Sequence, residues 1–300
     1  MTQQPTAKLT PLRSALQSWL LDCEAENLSE KTLFYYETSA KQFLDWCEAA
    51  NIKHLEEIDP NVIRHYSVDL RTRKISSHYH HNLVRVLRTW FNFCVKDGLM
   101  VSTPFERVKV PKPYGQVKNA LSADQIKLIL GSCKNTRDRC MVYVLLDSGV
   151  RISELCALNV GDVDMKTGEV HVQKGKGGKG RYTHVSARTR KEMLTYLRTR
   201  SDTGTDEPLF VSESSGNRLT KDGATLAIRR LRLDSGVKDC AAHSFRRTCA
   251  ITMMRQGVNI YVIARMLGHA TIEVLKKYLP IANQDVAAAH KRASPVDILL

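Results

Sequence analysis

Apolar residues recur every three to four positions through most of the chain, and this period predicts a mainly helical protein. Leu12, Leu16, Trp19 and Leu20 share one face of a first helix. A second helix starts near Ser29 and carries Leu33, Tyr36, Ala40, Phe43, Leu44 and Cys47 on a single stripe. Asp59 ahead of Pro60 supplies an N-cap and a proline at the first helical position, opening a third helix through Ile63 and Leu70. The fourth opens at Ser76 or Ser77, buries Leu83, Leu87, Trp90, Phe91 and Cys94, and stops at Gly98, which suits a left-handed helix end. Four helices of this length make a small bundle.

Helical periodicity then breaks. Pro104, Pro111, Pro113 and Gly115 fall among lysines between residues 103 and 117, which reads as an exposed linker and a domain boundary. Ser122 and Gln125 form a capping box that opens the first helix of a second domain. The period changes to two only between Glu169 and Val185: Val170–Lys174 and Arg181–Val185 alternate apolar with polar around a Gly175–Gly180 tip rich in glycine and lysine, predicting a β-hairpin. Helical patterns resume at roughly 187–200, 220–233, 244–256, 259–267 and 271–279.

Length and composition agree with this picture: 300 residues suit two domains, and 43% apolar with 25% charged residues is ordinary globular usage. Charge is what departs from the ordinary. The chain nets +14, of which +2 lies in residues 1–117 and +12 in residues 118–300, so the second domain is the one that faces a polyanion. Eight scattered cysteines in apolar helical stretches fit reduced core thiols and a cytoplasmic location. No basic segment followed by an apolar stretch opens the chain, and no apolar run is long enough to span a bilayer, so no membrane role is expected. Metal-ligand spacings and a complete P-loop are missing too: Arg181-Tyr182 stands where the lysine and hydroxyl of a P-loop would be.

Five segments of the second domain could carry chemistry. Arg151 follows an apolar helix and a Ser148-Gly149 turn, and pairs on paper with Glu154, either as an inward-aimed cation or as a common surface ion pair. The hairpin tip holds Lys174, Lys176 and Lys179, either solvated or able to reach a phosphate. His243 and Arg246 share a helix face at i, i+3, where they could grip one phosphate or simply cap and solvate the helix. His269 follows Gly268 at a helix end, where a histidine commonly caps, and Tyr278 lies nine residues on in a short helix, where a tyrosine is commonly core.

Taken in order, Gly149-Val-Arg151-Ile-Ser-Glu-Leu, Gly175-Lys176-Gly, His243-x-x-Arg246, Leu267-Gly-His269 and Tyr278 resemble the tyrosine recombinase family, the integrases and Xer-type site-specific recombinases, which share site chemistry with type IB topoisomerases. The resemblance spans both domains. It implies a mainly α fold: a SAM-like helical bundle at 10–98 as a core-binding domain, a linker at 99–117, a mixed, mostly helical catalytic domain with a small antiparallel sheet (α+β) at 118–294, and a tail at 295–300. It also implies Tyr278 as nucleophile, Arg151 and Arg246 as phosphate clamps, Lys176 as general acid, and His243 and His269 as supporting imidazoles.

The implied reaction cuts and rejoins duplex DNA through a 3′-phosphotyrosyl intermediate, without metal, ATP or other cofactor. Expected DNA contacts are Arg71, Arg73, Arg85 and Arg88 in the first domain and Lys174, Lys179 and Arg181 around the hairpin. The implied assembly is a homotetramer on two DNA sites, with the C-terminal tail docking on a neighbour and accessory proteins as further partners. With no arm-binding domain expected before residue 10, a compact Xer-like or mobile-element enzyme is favoured. In the run His78-Tyr79-His80-His81, adjacent and i, i+2 histidines do not share a helix face, and these side chains are expected to be solvated or to contact phosphate rather than a metal. Two alternatives stay open: a DNA-relaxing topoisomerase, and a non-catalytic DNA-binding regulator.

Overall fold

The computed structural model describes residues 10–114, 118–173, 180–268 and 271–279, together with 290, 294 and 296. The chain divides into two compact units, Met1–Gln116 and Val117–Leu300. Among its described residues the first holds four α-helices: α1 (Leu12–Ala25), α2 (Glu30–Ala49), α3 (Pro60–Thr72) and α4 (Ser77–Lys96). Side chains start three of them as the sequence implies. Ser29 accepts from the Thr32 N–H, Asp59 from those of Asn61 and Val62, and Ser76 from that of Tyr79. Their apolar stripes close on Trp19, Phe43, Tyr66, Trp90 and Phe91, all fully buried. The Trp90 indole N–H also donates to the Ala15 carbonyl at 3.3 Å, tying α4 to α1.

The second unit contains α5 (Ala123–Gly131), α6 (Thr136–Ser148), α7 (Ile152–Ala157), β1 (Glu169–Val172), β2 (Arg181–His184), α8 (Ala187–Leu197), α9 (Lys221–Ser235), α10 (Ala242–Arg255), α11 (Ile260–Leu267) and α12 (Glu273–Lys276). Residues Cys140–Leu145 of α6 are buried on nearly every side, so α6 is the central helix, with α7, α8 and α10 packed against it. The strands pair antiparallel, with Val170 opposite Thr183 and Val172 opposite Arg181, and they turn those valines into the core. Among the described residues the protein is mainly helical with one small two-stranded sheet, in agreement with its hydrophobic pattern.

Two details differ from the periodicity. The helix predicted over 271–279 closes its ladder only over Glu273–Lys276. Ile272 at its N-cap has no side-chain acceptor for the first free N–H groups, and Lys277 and Tyr278 leave the helix as a turn. His80, expected at the surface or on a phosphate, is buried instead, with Nε2 2.9 Å from the Ser67 hydroxyl. Its position on the inner face of α4 beside Leu83 and Val84 explains the burial, which, with Arg71 and His81 nearby, lowers its pKa. His81 meets the Pro111 carbonyl through Nδ1 at 2.7 Å.

None of the eight cysteines is in a disulfide, and seven are buried. Burial pushes the Cys47 and Cys249 thiols up to about 12, which keeps them protonated and inert. Among the described residues, no helix is long and apolar enough to cross a membrane, and no group of three or more His, Cys, Asp or Glu side chains is placed to hold a metal ion.

Candidate active site

The backbone at Gly149 brings the first arginine into place. Gly149 ends α6 in the left-handed region at φ +63°, and a Cβ there would collide with Leu267 on α11, so neither the turn nor the packing admits a side chain. Two residues on, Arg151 is the N-cap of α7, where its own N–H donates to Glu154 Oε2 at 2.7 Å. Its Nη1 donates to Glu154 Oε1 at 2.8 Å and its Nη2 to the Gly268 carbonyl at 3.1 Å. The surface-pair reading of Arg151 and Glu154 therefore fails, because the Glu154 side chain is only 4% exposed.

Arg246 comes from α10 and is buried at 6% exposure. It donates to the Gly149 carbonyl through Nη1 and to the Leu267 carbonyl through Nη2, both at 2.6 Å. Burial and then the neighbouring Arg151 charge lower its pKa to about 10, which leaves it protonated at neutral pH. One turn earlier, partial burial and the charges of Arg246 and Arg151 lower the His243 pKa, favouring a neutral imidazole able to accept a proton.

Arg181, expected among the DNA contacts, is committed elsewhere. Its side chain is 10% exposed; Nη1 and Nη2 meet the two Glu154 oxygens at 2.8 and 2.7 Å, and Nε meets the Met266 carbonyl at 2.9 Å. Three consecutive carbonyls at the end of α11, those of Met266, Leu267 and Gly268, thus each take a guanidinium N–H from a different segment: Arg181, Arg246 and Arg151. A helix C-terminus offers orphan carbonyls and a partial negative charge, which suits cations. Burial alone would raise the Glu154 carboxyl, but the hydrogen bonds and charges of Arg181 and Arg151 hold it down at about 2.

Arg151, His243 and Arg246 line one cavity of about 570 Å³, which Lys221, Arg229 and Arg232 of α9 also line. The α9 residues were readable as a basic stripe, since Lys221, Thr225, Arg229 and Arg232 recur at helical spacing. Tyr278 follows α12, half-buried, its N–H donating to the Leu275 carbonyl at 2.8 Å and its ring packed on the cluster of Ala250, Met254, Ile263 and Leu267. Lys277 Nζ lies 5.1 Å from the Tyr278 ring centroid. Lys174, Lys176, Lys179 and His269 lie outside the described residues. In the first unit, Arg71 and Arg73 are exposed at the end of α3, with Arg73 paired to Asp69 at 2.6 Å, and Arg85 and Arg88 are exposed on α4.

A model of the phage integrase family matches residues 119–285, more than half of the chain and a span that contains Arg151, Lys176, His243, Arg246, His269 and Tyr278; the chain belongs to this family. It is a tyrosine recombinase, an enzyme of site-specific recombination. The tyrosine recombinase XerC of Roseiflexus castenholzii is 26% identical over 284 residues, covering 91% of this chain and 90% of that protein. The crystal structure of XerA recombinase is 26% identical, with a TM-score of 0.51, over 94% of this chain and 97% of that one. A lambda integrase dimer bound to a COC′ core site has the same fold at 16% identity and a TM-score of 0.74, over 92% of this chain and 81% of that one.

Proposed function

We propose that the chain cuts and rejoins duplex DNA by passing a strand's 3′ phosphate to the Tyr278 hydroxyl. The carrying observation is the pair of arginines, Arg151 and Arg246, fixed on adjacent carbonyls and lining one cavity with His243. As the Tyr278 oxygen bonds to phosphorus and the 5′ oxygen leaves, negative charge builds on the non-bridging oxygens. Arg151, Arg181 and Arg246 against the single Glu154 carboxylate leave two positive charges, matching a doubly negative transition state. Planar guanidinium forks suit that geometry better than ammonium groups do.

A phenol is a weak nucleophile at neutral pH, and the neutral imidazole of His243 is the acceptor for its proton. Lys176 gives a proton to the departing 5′ oxygen, and His269 supports the phosphate. The tyrosyl ester conserves the broken bond's energy, so a 5′ hydroxyl reverses the step without ATP. The arginines supply the charge stabilisation that two-metal nucleases take from divalent ions.

The four-helix unit serves as the core-binding domain and the second unit as the catalytic domain. Exposed Arg71, Arg73, Arg85 and Arg88 on the first unit, and the basic α9 wall on the second, meet the phosphate backbone. The lambda integrase relative is a dimer on its DNA, which supports DNA and a second copy of this chain as partners. If about eight basic side chains contact phosphates, log K falls with log salt at a slope of about −7 in filter-binding titrations; an affinity independent of salt overturns the DNA reading. The reduced thiols suit the cytoplasm.

The apolar tail from Pro295 onwards docks on a neighbouring subunit of a tetramer and couples the active sites. Deleting residues 285–300 is expected to leave binding to a single site unchanged in gel shifts and to abolish strand exchange between two sites. Exchange at the full-length rate removes the tail from the mechanism.

A further inference from the structure

Arg181 differs from the other arginines of the site in giving both of its terminal nitrogens to one buried carboxylate. Its guanidinium spans both oxygens of Glu154, at 2.8 and 2.7 Å, and its Nε holds the Met266 carbonyl. Glu154 in turn accepts the Arg151 side chain on Oε1 and the Arg151 N–H on Oε2. Each carboxylate oxygen is therefore divided between the two arginines. The alkyl part of Arg181 lies against Gly268, where a Cβ would come within 2.9 Å of it, and the Gly268 carbonyl is the other anchor of Arg151. Both attachments of the Arg151 guanidinium thus run through groups that Arg181 touches.

We propose that Arg181 is a positioning residue for strand cleavage: it holds Glu154 and the end of α11 so that Arg151 is presented to the phosphate. This deepens the strand-transfer reading and rests on it, since Arg151 must have a phosphate to meet. Without Arg181, the buried Glu154 carboxylate has Arg151 as its remaining guanidinium partner in this bridge. A carboxylate and a guanidinium left together close into a bidentate fork, which takes the Arg151 donors and screens its charge. Arg181 competes for the same oxygens and prevents that closure. Its position at the start of β2 makes the hairpin part of the support for Arg151.

The test uses Arg181→Met and Arg181→Lys in the full-length protein, alone and combined with Arg151→Ala, on a nicked DNA site whose covalent complex is trapped and quantified. Arg181→Met is expected to slow cleavage about 10–100-fold, the scale for removing a group that orients an active-site ligand, with the DNA Kd changed by less than about threefold. In the Arg151→Ala background the further loss is expected to be under about threefold, because both residues act as one unit. Arg181→Lys, which keeps the charge but not the bridge, is expected to recover part of the rate. A neutral methylphosphonate at the cleavage position removes charge that Arg151 meets, and is expected to shrink the deficit of both single variants.

Independent, multiplying losses in the double variant, or a deficit that the methylphosphonate leaves unchanged, overturn the proposal. So does a variant that cleaves normally but binds with a salt slope shallower by about one, which makes Arg181 a phosphate contact. If Arg181→Met does not fold, the same cycle with Arg181→Lys decides. Normal cleavage by Arg151→Ala, or no adduct from the unaltered protein, defeats the strand-transfer reading itself; a dead Arg151→Ala beside fully active Arg181 variants defeats this inference alone.

Discussion

Tyr278→Phe is expected to bind its DNA site as the unaltered protein does while forming no covalent adduct on a nicked substrate, a loss of at least about 10⁴-fold in cleavage. The substitution removes only the hydroxyl. The ring keeps its place against the apolar cluster that includes Ala250, Met254, Ile263, Leu267 and Leu275, so folding stability should change by less than about 1 kcal/mol and thermal unfolding serves as the control. Denaturing gels of protein mixed with end-labelled DNA read the adduct directly. A regulator that merely contacts the backbone, or a nuclease using water as nucleophile, would act unchanged with phenylalanine at this position, and either outcome displaces Tyr278 from its role.

Arg246→Lys is expected to lower cleavage by about 10²–10³-fold, the scale for removing one preorganised donor from a developing anion. Lysine keeps the charge, yet a single ammonium cannot hold the Gly149 and Leu267 carbonyls and still offer a planar fork to phosphate oxygens. Leaving one of those buried carbonyls unpaired should also cost about 1–3 kcal/mol of stability. Single-turnover cleavage rates, with thermal melts alongside, separate the two effects. A lysine variant within tenfold of the unaltered rate would show that charge alone suffices and that the anchored fork is not what catalysis uses.

Much of the architecture could be read before any coordinates because it rests on local chemistry. Asp59 ahead of Pro60, the Ser122–Gln125 box and the left-handed glycines at 149 and 268 mark element ends through single side chains or their absence, and the structure uses each in that way. The all-apolar run in α6 likewise announced a central helix, since a helix without a polar face has to be buried.

The support beneath the site was not legible in the same manner. Arg151 and Glu154 at i, i+3 look like a weak surface pair, and only the arrival of Arg181 from 27 residues further on shows the carboxylate to be a buried bridge. The three carbonyl anchors at Met266, Leu267 and Gly268 have no signature at all, because every residue carries a carbonyl and only tertiary packing decides which ones a guanidinium finds. Arg181 was assigned to DNA by its charge and neighbours for the same reason: composition records that a cation is present, not which way it faces. His80 shows the limit from the other side, since three histidines in four residues look exposed until the helix phase places one of them inward.

The most direct measurement is mass spectrometry of the complex trapped on DNA, after digestion with nuclease and protease. Strand transfer as described here requires the peptide containing residue 278 to carry a 3′-linked nucleotide on the Tyr278 oxygen, in amounts that match the cleaved DNA. Cleaved DNA with the nucleotide on another residue, or on none, would contradict it.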